Sequence, residues 1–379
     1  NQPNTASGDV TVEGFTIRNG LSQGVSGGGL LVAALPPGTI TINRNIIEDN
    51  ETDYAAGGLI AINREPATSN GGPMVVSNNI LRNNLCGTGI AAAHGGAAYL
   101  YNTDTLTMFN NLIYSNQARA MDTYEGSAGG LVVVSYAGSV NMVNNTITRN
   151  HADTAMGGVY VVEAGDAWAV SNVNLQNNII RGNTYGLSST EEDIVNNLSA
   201  THPSSGNTLT IVNNNYGVIT NDAAAVTPTL SDNIDADPLF VNVADPDSAS
   251  WDLRPRYGSP CVDAGNTNAF GIPASDFLGY NRVQDGDGDG TAVADMGAYE
   301  LGLGRSATEG TVGTEVTLSL PTGGFGASKS KVYLEVTDPV TAKTKQVSFQ
   351  VINWSDTLIQ AQWKKKVAQG EYPLVIQPK

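Results

Sequence analysis

The sequence predicts an all-β chain of stacked repeats, and three observations carry that prediction. A seven-residue phrase closing on asparagine recurs at a nearly constant interval. Each interval also holds a Gly pair that leads into a short apolar run. No window keeps helical spacing over three turns.

The phrase reads Asn144-Asn145-Thr146-Ile147-Thr148-Arg149-Asn150 in its clearest copy. Other copies run from Arg44 to Asn50, Asn78 to Asn84, Asn110 to Asn116 and Asn177 to Asn183, with a degenerate one from Glu13 to Asn19. The closing asparagines are Asn19, Asn50, Asn84, Asn116, Asn150 and Asn183, so the period holds at about 33 residues throughout. The Gly pairs are Gly28-Gly29, Gly57-Gly58, Gly95-Gly96, Gly129-Gly130 and Gly157-Gly158. The apolar runs after them are short and partly β-branched, and read as strands of about four or five residues. Alternation in Thr39-Ile40-Thr41-Ile42 and Val140-Asn141-Met142-Val143 points one face inward and one to water.

A unit of this size cannot bury its own apolar face. Stacked turn by turn, such units would bury it between neighbours about 4.8 Å apart. Asparagine suits the turns, because it tolerates left-handed backbone and its amide can bond to the equivalent amide one coil away. Glycine suits sharp bends and close packing. These residues are therefore read as structural, not as ligand-binding.

The alternation of GG-apolar and NN-x-I-x-x-N runs over about residues 8 to 220 resembles a right-handed parallel β-helix of the pectate-lyase-like superfamily. More narrowly it is similar to the repeats of polymorphic outer-membrane-protein-like bacterial surface proteins. The six closing asparagines, with one longer coil around Asn213-Asn214-Asn215-Tyr216, give about seven coils. The resemblance is weak for activity, because this fold serves lyases, hydrolases, epimerases and adhesins alike.

After the coils come Asp237-Pro238-Leu239-Phe240, Trp251-Asp252-Leu253-Arg254-Pro255, and Gly258-Ser259-Pro260-Cys261-Val262-Asp263-Ala264-Gly265. They are followed by a DGDGDG run from Asp285 to Gly290 and then Asp295-Met296-Gly297-Ala298-Tyr299-Glu300. That order resembles the end segment of choice-of-anchor Q domain proteins, which implies an irregular C-terminal cap and a bacterial surface setting. An open coil end needs such cover. The sequence from 306 onward gains lysine and loses the Asn repeats. Its runs G-T-E-V-T-L, V-I-N-W-S-D-T-L-I and G-E-Y-P-L-V-I resemble an IPT/TIG-type immunoglobulin-like domain, a small β-sandwich. The expected division is thus a parallel β-helix over 1–236, its cap over 237–305 and the immunoglobulin-like domain over 306–379.

Charge is uneven. Residues 1–305 hold 11 Arg, no Lys and 30 acids, whereas residues 306–379 hold 8 Lys and 6 acids. An acidic body argues against nucleic acid as a partner, since phosphates need clustered cations. It also disfavours an anionic polysaccharide unless metal ions mediate. No apolar run reaches the roughly 18 residues that a membrane helix needs, so no membrane span is expected. The chain enters directly into a repeat without a signal peptide, as the processed part of a secreted protein would.

Two constellations carry chemistry. Asp285, Asp287 and Asp289 stand two residues apart with glycines between, a pattern that can converge on a hard cation. Counted as an EF-hand loop, the run has Met296 where a bidentate Glu belongs, so Asp295, one residue earlier, or else Glu300 is the expected further ligand, and Ca2+ in a structural role the expected ion. The bland alternative is an acidic turn bonded to its own backbone amides.

The second constellation is the loop edge between closing asparagines and Gly pairs. It carries Glu51, Asp53, His94, Arg119, Asp122, Glu125, His151 and Asp153. Carboxylates with a histidine one or two coils apart could act as general acid and base on a glycan. The competing reading is a hydrophilic, solvated edge. The β-helix has no Lys to serve as the base that lyases of the resembled fold use, which leaves Arg119 and Arg149. Two functions therefore stand: an extracellular bacterial surface protein with a structural, adhesive, glycan-binding or filament or surface-layer role, or a secreted polysaccharide lyase or related carbohydrate-active enzyme. The partners expected are polysaccharides or other surface proteins, including further copies of this chain.

Overall fold

The computed structural model describes residues 8–34, 38–63, 72–87, 93–102, 104–119, 126–135, 138–163, 170–200, 206–305, 315–320, 325, 331–337, 344–355, 357–363 and 374–377. It is an all-β molecule whose larger part is a parallel β-helix. Each regular turn lays one strand on each of four sheets. In the second turn these are Ile40–Asn43 (sheet A), Ile46–Glu48 (sheet B), Glu51–Thr52 (sheet C) and Leu59–Asn63 (sheet D). Every strand pairs in parallel with its equivalent one turn away, as in Ile40↔Met74 and Leu59↔Ala98.

The turns number about five, not the seven expected. Four-strand turns repeat from Val10 to Glu163. In the next turn Thr184–Tyr185 pairs antiparallel with Thr190–Glu191, an inserted excursion. After it come Thr208–Val212, Asn215–Tyr216 and Ile219–Asn221, with no sheet C strand among the described residues, and finally Thr229–Ser231 alone on sheet A. Ile42, Ile47, Leu59, Met108, Leu131 and Ile147 are among the inward residues that fill the bore, all at most 1% exposed. The described residues contain no helix long and apolar enough to cross a membrane.

Two asparagine ladders run beside that apolar column. One joins Asn45, Asn79, Asn111, Asn145, Asn178, Asn214 and Asn233. The other joins Asn50, Asn84, Asn116, Asn150 and Asn183. In the middle of the first, the Asn145 amide donates to Asn178 Oδ1 at 3.0 Å and to the Met108 carbonyl at 3.1 Å. Its own Oδ1 accepts from the Asn111 amide at 2.9 Å and backbone N–H at 3.0 Å. One side chain thus ties together three coils. A buried amide is costly unless fully bonded, and here strand spacing supplies every partner.

The second ladder ends on a different residue. Asp193 takes the next place, and its Oδ1 accepts from the Asn183 amide and N–H, both at 3.0 Å. Its Oδ2 accepts from the N–H groups of Gly217 and Val218 in the following coil. The carboxylate is wholly buried. Burial pushes its pKa up to about 6 against the pull of these donors.

The Gly pairs sit where sheet D begins. A Cβ on Gly57 would stand 2.5 Å from the Leu85 backbone, which no side chain can accept. The third pair is shifted by one: Gly95 takes the left-handed position (φ 74°) that Ala56, Ala128 and Met156 occupy elsewhere, and Gly96 takes the packed one.

The first asparagine of each NN pair points the other way. Asn78, Asn110, Asn144, Asn177 and Asn213 all hold φ between 52° and 54° at the corner between sheets A and B. From Asn110 onward their amides face outward to residues 237–305: Asn110 to the Ser275 carbonyl, Asn144 to Asp295, Asn177 to Asn266 and Asn213 to Ala264. Where an end cap was expected, this segment leaves the last turn and runs back along the flank. It shares a second core with the outer face of sheet B, in which Leu112, Tyr114 and Ile179 meet Phe240, Leu253, Cys261 and Met296. Trp251 stacks on Tyr114 with ring centroids 5.8 Å apart and lies under the Arg149 guanidinium.

The described C-terminal residues form two antiparallel sheets. One orders Gly304–Arg305, Glu315–Ser319, Leu358–Gln362 and Gln350–Trp354; the other orders Thr344–Ser348, Lys331–Thr337 and Leu374–Gln377. Leu318 and Ile359 of the first meet Val332 and Ile376 of the second in one small core, and Tyr257 and Leu301 of the flank segment enter it too. The unit is a small β domain seated on that segment.

Two outcomes test this account. Asn145→Ala strips partners from the Asn111 amide and the Met108 carbonyl, and should cost about 3 kcal/mol or more in urea unfolding. Thr41→Ala, on the outer face of sheet A, should stay within about 0.5 kcal/mol. Asp193 gives a pH dependence. Between its ordinary 3.8 and about 6 the folded chain holds a proton that the unfolded chain has released, so this group's contribution falls as pH rises through that window. The wild-type minus Asp193→Asn stability difference should therefore drop by roughly 2–3 kcal/mol from pH 4 to pH 6.5, read by denaturant titration.

Candidate functional site

The loop edge is built by sheet C, whose outward row is Glu51, Leu85, Gln117, His151 and Thr184, one residue per coil. The inward row, Cys86, Ala118 and Ala152, is buried against Tyr185. His151 is half-buried. Its Nδ1 lies 3.0 Å from Thr184 Oγ1 and its Nε2 3.7 Å from Asp153. The Gln117 amide also donates to Asp153, at 3.2 Å. Two hydrogen-bonded pairs, Gln117 with Asp153 and His151 with Thr184, thus stand 3.7 Å apart at His151 and Asp153 and span three coils.

Among the described loop-edge residues, Asp53 and Arg119 do not join this group. Asp53, Arg119 and Asp153 occupy equivalent positions in their coils, as the bonds from their N–H groups to Ser22, Cys86 and Ala118 show. Asp53 is three strand spacings from Asp153, about 14 Å along the axis. Both its carboxylate oxygens accept from the Gly24 N–H at 2.8 Å, so it closes a turn. His94 pairs with Ser127 in a short parallel bridge on the sheet D side, two coils before His151. Arg119 is exposed. Arg149, the other conceivable base, covers Trp251. Asp122 and Glu125 lie outside the described residues.

The acidic run in the flank segment is arranged differently from its expected ligand set. Oxygens of Asp285 and Asp287 come within 4.8 Å of one another and of Asp263. Asp263 comes from the earlier Cys-Val-Asp-Ala-Gly stretch, too far back along the chain for spacing to reveal it. Much of the cluster is spent on backbone. Asp263 Oδ2 accepts from the N–H groups of Gly286 and Asp287 at 3.0 and 2.7 Å. Asp285 accepts from Gly288 and Gly290, and Asp289 from Thr291. Asp263 Oδ1, however, is buried with no hydrogen-bond partner. Burial, with Asp287 and Asp285 adding to it, pushes Asp263 up to about 6.

Asp295 has another place. It is fully buried, and its two oxygens accept from the N–H groups of Asp263 and Leu301, both at 2.7 Å. Glu300 accepts from Val283, Gln284 and Asp295, and meets Arg282 at 3.3 Å. Burial, and the closeness of the two carboxyls, raise Asp295 well above the usual carboxylate range. Arg282 reaches on to Asn110 Oδ1 at 2.7 Å. Asp295 and Glu300 of the DMGAYE stretch thus brace the segment internally, and Arg282 fastens it to the β-helix.

Comparison with protein-family models, curated proteins and solved structures finds no match to this chain.

Proposed function

We propose that the chain is part of an extracellular bacterial surface protein in which the β-helix is a rigid, non-catalytic rod with a structural and adhesive role. The observation that carries this reading is the axial spread of the described loop-edge carboxylates. A glycosidase needs its two carboxyls about 5–9.5 Å apart around one sugar. Asp53 stands about 14 Å from Asp153 and is engaged in a turn. The surface-protein setting rests on the resemblance of the repeats and of the DPLF-to-DMGAYE order. The small C-terminal β domain, in its IPT/TIG-like reading, would act as spacer or docking module.

One observation favours the lyase reading: His151 is within reach of both Thr184 and Asp153 at a partly exposed edge. A turnover assay separates the two. Acidic and neutral polysaccharides would be incubated with the chain, with and without calcium, while unsaturated products and new reducing ends are followed. No turnover is expected, with retention on an immobilised glycan. Product release that disappears in Asp153→Ala or His151→Ala would overturn the rod reading.

A structural Ca2+ belongs to the same proposal, now with Asp263, Asp285 and Asp287 as its ligands. The unpartnered Asp263 oxygen is the feature that fits it. A cation must compete with the proton that Asp263 holds below about pH 6. Millimolar calcium should therefore raise the melting temperature more at pH 7.5 than at pH 5, and Asp263→Asn should remove that rise. An equal response in Asp263→Asn would mean that calcium acts elsewhere.

A further inference from the structure

Along the flank the 237–305 segment covers the outward asparagines from Asn110 onward, and its loop 273–279 marks where that part of the cover stops. A groove of about 340 Å³ opens there, between Pro273–Gly279 on one side and Arg44, Asn78 and Phe109 on the other. That is near the lower end of the size range of small-ligand sites.

The groove's chemistry is mixed in a particular way. Phe109 is the outward residue of sheet A at the position held by Asn43 and Ser77 in the two preceding coils, so an aromatic face follows two polar ones. Leu278, 48% exposed, stands on the opposite wall. Arg44 takes the left-handed corner position that asparagine holds in the later coils, with φ 55° and a largely exposed side chain. Asn78 accepts from the Asn110 amide and donates to Asn43, which fixes its carboxamide plane.

Several ligand classes fit poorly. A peptide strand would need free backbone amides, but Phe277 and Gly279 donate to the carbonyls of Ala298 and Asp276, and Leu278 to the Asp276 carboxylate. A cation would need a free carboxylate, and Asp276 is spent on the N–H groups of Leu278, Tyr280 and Glu300. An anion would find Arg44 already 3.7 Å from Glu13, on a chain of net charge −17.

We propose that this groove binds one unit of an uncharged saccharide. Its apolar ring face would lie on Phe109 and Leu278, and vicinal hydroxyls would meet the planar fork of the Arg44 guanidinium and the Asn78 carboxamide. This deepens the adhesive reading given above and rests on it.

The test is affinity electrophoresis and calorimetry of the full chain against three uncharged hexasaccharides, a β-glucan, an α-glucan and a mannan, with hexagalacturonate as the charged comparison. Binding to an uncharged member is expected, weakened at least tenfold by Phe109→Ala and by Arg44→Ala, and untouched by Asp153→Ala. Both variants change outward side chains, and unchanged melting curves would show that they fold. Undiminished binding in both would overturn the groove while leaving the adhesive reading in place. Binding to hexagalacturonate alone, lost in Arg44→Ala, would overturn the uncharged class. Absence of binding to all four would overturn the proposal, whereas the rod reading fails only on turnover.

Discussion

The structure depends on a rule about one functional group: a buried carboxamide must find partners above, below and beside it. Asn145 satisfies that rule only if its neighbours Asn111 and Asn178 stand one strand spacing away in the same orientation. Each coil must therefore return to the same place, whatever its length. The sequence keeps the two ladders in the same relative register in every coil that carries both, from Asn45 and Asn50 to Asn178 and Asn183. The stretch from one coil's second ladder residue to the next coil's first is not constant. It is shortest between Asn84 and Asn111 and longest between Asn183 and Asn214. Length variation is absorbed in the loops because the amides forbid it elsewhere.

That constraint explains what could be read beforehand. The period, the parallel stacking, the inward amides and the close packing at the Gly pairs are repeated facts, and repetition makes them visible in a single chain. What escaped was whatever happens once. Asp193 stands at the end of a ladder with no asparagine pattern around it, since it belongs to the excursion that follows Tyr185. The two asparagines of an NN pair look alike in sequence, yet Asn145 faces the interior and Asn144 faces the flank segment. Only the left-handed backbone at Asn144 separates them (φ 54°), and many residues tolerate that conformation less well than asparagine.

The same distinction governs the candidate sites. Asp285 and Asp287 were legible as an acidic pair, because their spacing is local. Asp263 was not, because its approach depends on how the segment folds back. Asp295 looked like a fourth ligand by counting along a loop, but in space it receives two backbone N–H groups inside the segment. Among the described loop-edge residues, Asp53 stands apart from Asp153 for a simpler reason. In a β-helix, residues one period apart are about 4.8 Å apart, so groups spread over four coils are spread over about 14 Å. Chemistry needs its acid and base at one height, and among the described residues of that edge His151 and Asp153 meet the condition.

Where, then, can such a chain place a binding function without disturbing its ladders? The inward positions are closed to variation. The outer face of sheet B is covered by the flank segment through Leu112, Tyr114 and Ile179. The free choices are loops and the outward corner positions that the segment leaves uncovered. Arg44 illustrates the second kind. It keeps the left-handed turn that Asn78 and Asn110 use, so the ladder residue after it, Asn45, is undisturbed. Its side chain has no flank segment to hold, which turns a fastening position into one that can meet a ligand. The groove beside Phe109 thus arises from the same corner that, a few coils later, binds the protein to itself.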